Sequence, residues 1–413
     1  MTVVTVRGAQ GETVSLKYDT SSNVTLAADL AAAISAAVAK GKLIPASSEN
    51  GPPPPLLPGK AGEFIQLTKG TTLLPKGYDT VVINNAKARV IGSGDAGEVV
   101  LAGNLGTNFM APAGSGTFVA GGGNNTFATL PGDAGGWLIS PGQGDNKIFA
   151  LGSGNDTIQS GSGKNLIGLG SGHDYVTLTG TDTISGGRGH DTIDASSAKS
   201  TLIYEQSASV TFLGGDGAAT ILGGSGSATV FGGDGTLVVQ GGTGGGNLMF
   251  AGSGAATLFG GGDGDQLYAQ GIGQALTAGA GNETLSGAMG IGTSLTGGSG
   301  ADQLIGGFGN DTFTGGTGSA TMTGGAGTDL FVFIKGQDGT DLVQGFMSPD
   351  KIGLIGFGAS EVKVALASQA VANGSDTITL TDGTSITFGG VTHLVQSDFQ
   401  LITQGSQHGN QEG

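Results

Sequence analysis

Cysteine is absent from the 413 residues, so neither disulfides nor thiolate-held metals can contribute. Histidine occurs four times, at His173, His190, His393 and His408, too few and too scattered for a histidine-based metal centre. Basic residues are scarce: 16 Lys and Arg against 32 Asp and Glu leave a formal charge of −16. Nothing basic is concentrated enough to displace phosphate counterions, which argues against a nucleic-acid partner. No transmembrane run of about 20 apolar residues is expected. The N-terminus, MTVVTVRGAQGETV, lacks the basic and apolar regions of a cleaved signal peptide. Catalytic signatures are missing too, with no H-E-x-x-H and no G-x-S-x-G. The expectation is a non-enzymatic protein.

What the chain has is glycine, 86 residues of it, in a spacing of nine that excludes collagen. Four nonapeptides run head to tail: GGSGADQLI from Gly297, GGFGNDTFT from Gly306, GGTGSATMT from Gly315 and GGAGTDLFV from Gly324. Their frame is G-G-x-G-x-D-x-U-x, with U a large apolar residue. GGRGHDTID from Gly186 matches every position, while LGSGNDTIQ from Leu151 and LGSGHDYVT from Leu169 lose only the first glycine. Glycines at positions one, two and four permit a tight turn. The aspartate at six supplies a hard oxygen ligand. The apolar eighth residue points inward from a short strand whose neighbours point out.

This pattern resembles the RTX (hemolysin-type) calcium-binding repeat. The resemblance implies a right-handed parallel β-roll, two units to a coil, with Ca²⁺ between turns stacked on the same side. It further implies type I secretion through an uncleaved C-terminal signal, hence an extracellular or cell-surface location without a cleaved N-terminal signal. The fold class expected is all-β: a parallel β-solenoid with a small N-terminal α/β module and a C-terminal β cap. Five segments follow. Residues 1–45 form the N-terminal module, with strands at Val3–Val6 and Glu12–Lys17 and a helix over Thr25–Lys42 that carries a stripe of Leu26, Leu30, Ile34 and Val38 and stops at Gly41. Residues 46–62, with Pro52 to Pro55, read as a polyproline linker. Residues 63–140 read as irregular solenoid or collar, 141–335 as the RTX-like roll, and 336–413 as cap and secretion-signal region, with a loose tail from His408.

If successive units alternate sides, ligands stack two units apart. Asp156, Asp174 and Asp191 then share one column, opposite Asn146, Asn165 and Asp182. Later, Asp311 and Asp329 share a column while Asp302 faces Ala320. These seven aspartates are the candidate Ca²⁺ ligands, with glycine-turn carbonyls completing the shell. His173 and His190 should stack on neighbouring turns at the solvent-facing fifth position. The middle block puts Ala219, Ala228, Leu237 and Ala256 at position six, where no apolar side chain can coordinate calcium. It also puts Leu222, Phe231 and Phe259 at the outward ninth position, with Phe250 and Tyr268 nearby, which points to a buried contact with another subunit or with the N-terminal module. The expected function is a secreted, calcium-stabilised structural protein that self-assembles as a surface layer, filament or biofilm matrix. The alternative is a polysaccharide-active enzyme or lectin at the cell surface.

Overall fold

A computed structural model describes residues 1–8, 12–207, 209–287, 291–337 and 339–402. The tail from His408, together with the rest of 403–413, lies outside the described residues. The chain forms two compact units, Met1–Ala218 and Ala219–Gly413.

Both units are built from parallel β-solenoid coils, as the nine-residue frame predicts. Each coil gives one short strand to each of two parallel sheets. In the first unit the inward eighth position stacks without a break in one sheet: Phe64 on Val81, Val100, Phe118, Ile139, Ile158, Val176, Ile193 and Phe212. The facing sheet stacks Val90, Phe109, Phe127, Ile148, Ile167, Ile184 and Ile203. All are fully buried. Where the two columns meet, rings interlock, with Phe127 and Trp137 at 5.1 Å and Phe118 and Phe127 at 5.3 Å between centroids. The second unit repeats the scheme with Val230, Met249, Leu267, Leu285, Leu304, Met322, Val343 and Phe388 in one sheet. It closes on the helix Glu361–Ala367 and an antiparallel arrangement of Ala370–Ala372, Ser375–Thr379 and Ser385–Gly389.

The N-terminal module is an antiparallel hairpin, Thr2–Arg7 with Thr13–Tyr18, followed by the helix Ser21–Ala39. Thr20 caps the helix by accepting from the Asn23 amide, and it ends where Gly41 takes φ 66° and Lys42 donates to the Ala37 carbonyl. The buried face is not centred on the leucine stripe but on Asn23, Ala27, Ala31 and Ile34, with Leu26, Leu30 and Val38 at its margins. Alanine lets the helix lie close to the sheets beneath it. By length and composition this helix of 19 residues, mean hydropathy 1.4, passes for a membrane span, although Ser21, Ser22, Asn23, Thr25, Asp29 and Ser35 interrupt its apolar residues. Here its apolar face is covered. It shares a core with Val4, Val6, Val14, Leu16 and Tyr18 of the hairpin and with the outward column Ile65, Val82, Leu101 and Val119 of the first coils.

Two boundaries differ from expectation. The solenoid begins before residue 63, because Leu43–Ser47 pairs in parallel with Ala61–Gln66. The proline segment therefore joins two neighbouring strands of one sheet rather than two domains. It is tied to its coil by the Tyr78 hydroxyl, which donates to the Pro54 carbonyl at 3.0 Å. Residues 63–140 form parallel ladders with one register shift, between Ser115 and Gly116, and their irregularity in sequence comes otherwise from turns of unequal length.

Asn23 is the module's polar anchor. It is buried, its Nδ2 donates to the carbonyls of Ala120 (2.8 Å) and Ser140 (3.1 Å), and its Oδ1 accepts from the Ser140 hydroxyl. Asn23→Ala is expected to cost about 1–3 kcal/mol by leaving those groups unpaired, and to lower amide-exchange protection in Ser21–Ala39 before the coils open. Unchanged protection in the helix would show that apolar packing alone holds it.

Candidate metal centre

Position six points into the turn, not out of it, and Asp156, Asp174, Asp182, Asp191, Asp302, Asp311 and Asp329 are all buried. Parallel stacking explains what they do there. Each side chain reaches back to the backbone amide at position six of the preceding coil. Asp156 Oδ1 accepts from Trp137 N at 2.7 Å, Asp174 from Asp156 N at 2.8 Å, and Asp191 from Asp174 N at 3.2 Å. Asp311, Asp329 and Asp350 do the same for Thr293, Asp311 and Asp329, at 2.6 to 2.9 Å. Asp302 serves Glu283 at 3.0 Å and Asp341 serves Ala320 at 2.9 Å. The stack is tight enough to require glycine at specific points. A Cβ on Gly187 would overlap the Gly170 carbonyl, and one on Gly189 the Gly172 carbonyl.

The opposite column of the first unit shows what an amide does in the same place. Asn146 Oδ1 accepts from Asn125 N, and Asn165 Oδ1 from Asn146 N, so the inter-coil bond is kept. The Nδ2 group then donates to the two glycine carbonyls four and two residues back: Gly121 and Gly123 for Asn125, Gly142 and Gly144 for Asn146, Gly161 and Gly163 for Asn165. Asparagine thus closes its own turn. An aspartate has only acceptors to offer those carbonyls. In Asp174, Asp191, Asp311 and Asp329 the second oxygen, Oδ2, is buried without a hydrogen-bond partner. Burying such an atom is costly unless a proton or a cation meets it.

Each of these four positions offers a hard cation one partnerless carboxylate oxygen, the donor type calcium takes. Among the described residues no three His, Cys, Asp or Glu side chains come together around one point, so main-chain oxygens would have to supply most of any shell. Three nominated residues differ. Asp156 shows no buried oxygen without a partner. Asp182 has both oxygens occupied, Oδ1 by Asn165 Nδ2 and Oδ2 by the Ser160 hydroxyl and Gly180 N. Asp302 likewise accepts from Glu283 N and Gly298 N. Asp265, Glu283, Asp341 and Asp350 join the columns without having been singled out. The signal was present in AGAGNETLS from Ala278 and GQDGTDLVQ from Gly336, which keep the frame around Glu283 and Asp341.

In the middle block Ala219, Ala228, Leu237 and Ala256 are buried at position six and bring no oxygen. Amides take over part of the work. Asn247 Oδ1 serves Ala228 N at 2.7 Å, and Gln274 Nε2 donates to the Gly252 and Gly254 carbonyls. His173 and His190 stack at 5.2 Å with rings 10° apart, on exposed residues.

Burial pushes the column carboxyls up. Asp156 rises to about 7 through burial, with the charges of Asp174 and Asp133 adding to it and the Trp137 amide opposing. Asp191 and Asp311 rise to about 6 for the same leading reason. Asp174 and Asp329 also move up by burial.

The family model of the RTX calcium-binding nonapeptide repeat matches the chain in four copies, over residues 142–176, 177–198 and 295–331. The chain therefore carries RTX repeats, and all seven nominated aspartates fall within the matched segments. No curated protein matches the chain.

Two predictions follow from the column chemistry. The raised carboxyls bind protons more tightly folded than unfolded. Without calcium, the stability they contribute is therefore complete below about pH 4 and is lost as the pH rises through about 6 to 7. Thermal melts in chelator should fall across that interval and saturating Ca²⁺ should abolish the fall; a melting temperature that climbs with pH in chelator contradicts the assignment. Second, Asp174→Asn should raise stability in chelator and shrink the gain from calcium, since its Nδ2 can close the turn as Asn146 does. Asp174→Ala should lower stability in both conditions. Asp302→Ala, which strands two amides, should cost about 1–3 kcal/mol whether or not calcium is present.

Proposed function

Taking the RTX repeats as the premise, we propose that this chain is a secreted structural protein, stabilised by Ca²⁺ outside the cell, that self-assembles at the bacterial surface as a surface layer, filament or biofilm matrix. Export follows the type I route of RTX proteins. Calcium is scarce in the cytosol and abundant outside, and turns whose buried carboxylates lack a counter-charge favour folding where the ion is available.

The observation that carries the assembly reading is a partly exposed aromatic ladder in the second unit. Phe231, Phe250 and Tyr268 occupy consecutive coils of one sheet, with rings stacked at 5.4 and 4.9 Å and within 12° of parallel. Phe231 is 41% exposed. Phe259, expected in the same cluster, lies on the other sheet between Gln240 and Thr277, with Leu222 two coils away in that column. Regular parallel coils thus sort the aromatics onto two faces, and three of them form a flat apolar strip suited to a protein contact. The N-terminal module has its own apolar contact, the column Ile65 to Val119 in the first unit.

A glycan-binding role is the second reading. It is favoured by a groove of about 250 Å³ in the first unit, lined by Thr20, Ser22, Asn23, Ser140, Gln159, Ser160, Thr177 and Thr179. The hydroxyls of Ser22, Thr177 and Thr179 at that groove are the groups that would meet the polar edges of a saccharide.

Electron microscopy of the full chain separates the two. Wild type should form ordered assemblies in Ca²⁺ and disperse in chelator, and Phe231→Ser with Phe250→Ser should remain monomeric while keeping its β circular dichroism. A wild type that stays dispersed in calcium and is retained on polysaccharide would replace the structural role with the glycan-binding one.

A further inference from the structure

The aspartate column of the first unit runs out at Asp191. Its partner on the next coil is Val210, which can neither accept a hydrogen bond nor hold a cation. That unit, EQSASVTFL from Glu205, also lacks the three glycines of the frame, which are replaced by Glu205, Gln206 and Ala208. A glutamate at that point is a poor choice for a tight turn unless its side chain has a task.

Its placement indicates one. Glu205 follows the strand Ser200–Tyr204, and the Tyr204 carbonyl accepts from Gly186 N at 2.9 Å, which holds Glu205 over the first glycine of the Asp191 turn. A Cβ on Gly186 would overlap Glu205 Oε2, so the carboxylate fills the space that glycine leaves open. Glu205 is 8% exposed and Asp191 1%. Neither oxygen of Glu205 has a hydrogen-bond partner, nor does Asp191 Oδ2. Three partnerless acceptor oxygens from two neighbouring carboxyls therefore converge on one turn. The charge of Asp191 adds to burial in raising the Glu205 carboxyl, as close approach of two like charges requires.

We infer that Glu205 is a calcium ligand that terminates the Asp191 column, supplying from position one the carboxylate that its own coil lacks at position six. The residue lies beyond the matched repeat segment, which ends at 198, so the repeat frame does not include it. A divalent ion there neutralises both carboxylates and closes the end of the column with hard oxygens. The inference rests on calcium binding by the columns.

The test is a count of Ca²⁺ bound to the full chain near neutral pH, by equilibrium dialysis and titration calorimetry, for wild type, Glu205→Gln, and Glu205→Gly combined with Val210→Asp. Glutamine keeps the shape of a protonated glutamate but removes the charge. It should bind about one ion fewer, or one ion at least about tenfold more weakly. The double substitution moves the carboxylate from position one to position six and should restore the wild-type count. If Glu205→Gln binds as wild type does, the two carboxyls share a proton rather than an ion and the inference is overturned. If wild type itself binds no calcium, the reading of the columns fails instead. Should either variant not fold, anomalous diffraction from wild-type crystals grown in Ca²⁺ decides the matter: a peak in reach of both Asp191 and Glu205 upholds the assignment, and its absence overturns it.

Discussion

The hydrogen bond from a position-six amide to the position-six side chain of the next coil is the constraint on which the turns depend. Parallel strands satisfy one another along the ladder, but a glycine-rich turn leaves that ladder and must still satisfy its buried amide. A short side chain with an sp² oxygen does this at every coil where one is present. Asparagine and aspartate perform this bond equally well, as Asn146 and Asp174 show at 3.0 and 2.8 Å. They part company at the second terminal atom. An NH₂ group bonds its own turn, whereas a carboxylate oxygen adds one more acceptor to a set of acceptors. One chemical substitution thus divides the coils into those that are complete as polypeptide and those that call for a cation.

The same stacking that builds the turns sorts the surface. With strict inward and outward alternation, any outward apolar residue recurs beside its counterpart on the neighbouring coil. In the first unit this produces Ile65, Val82, Leu101 and Val119, and the chain supplies its own cover in the hairpin and the helix Ser21–Ala39. In the second it produces Phe231, Phe250 and Tyr268, whose rings lie on one another while Phe231 keeps much of its area in water. Ring stacking shields the faces of these aromatics and leaves their edges as a continuous strip.

Much of this was legible in the chain itself because the eighth position repeats without fail: Ile158, Val176 and Ile193 could be assigned inward from the frame alone. The columns Asp156 to Asp191 and Asp311 to Asp329 were legible for the same reason. Coil length is what obscured the rest. Asn125 and Asn146 are 21 residues apart, Asn165 and Asp182 only 17, yet both pairs sit in register. Turns absorb the difference, so counting by nines loses Asn125 and misplaces Phe259. The helix stripe was displaced by a residue because leucines advertise hydrophobicity, while Ala27 and Ala31 permit the closer approach. Whether a carboxylate is partnered was not legible at all: Asp182 and Asp191 occupy the same frame position and differ only in which hydroxyls and amides surround them.

The columns also have a direction. The position-six aspartates and asparagines that make the inter-coil bond reach towards the N-terminal neighbour, so a coil's amide is satisfied by residues that follow it in sequence. A break between Asp174 and Asp191 is therefore unsymmetrical: the upstream piece ends with the Asp174 amide bare, and the downstream piece begins with an Asp191 oxygen that has lost its donor. One new end is short of an acceptor and the other carries an uncompensated acid. Fragments of this solenoid cut at equivalent turns are chemically different objects, and an end cap for one will not serve the other.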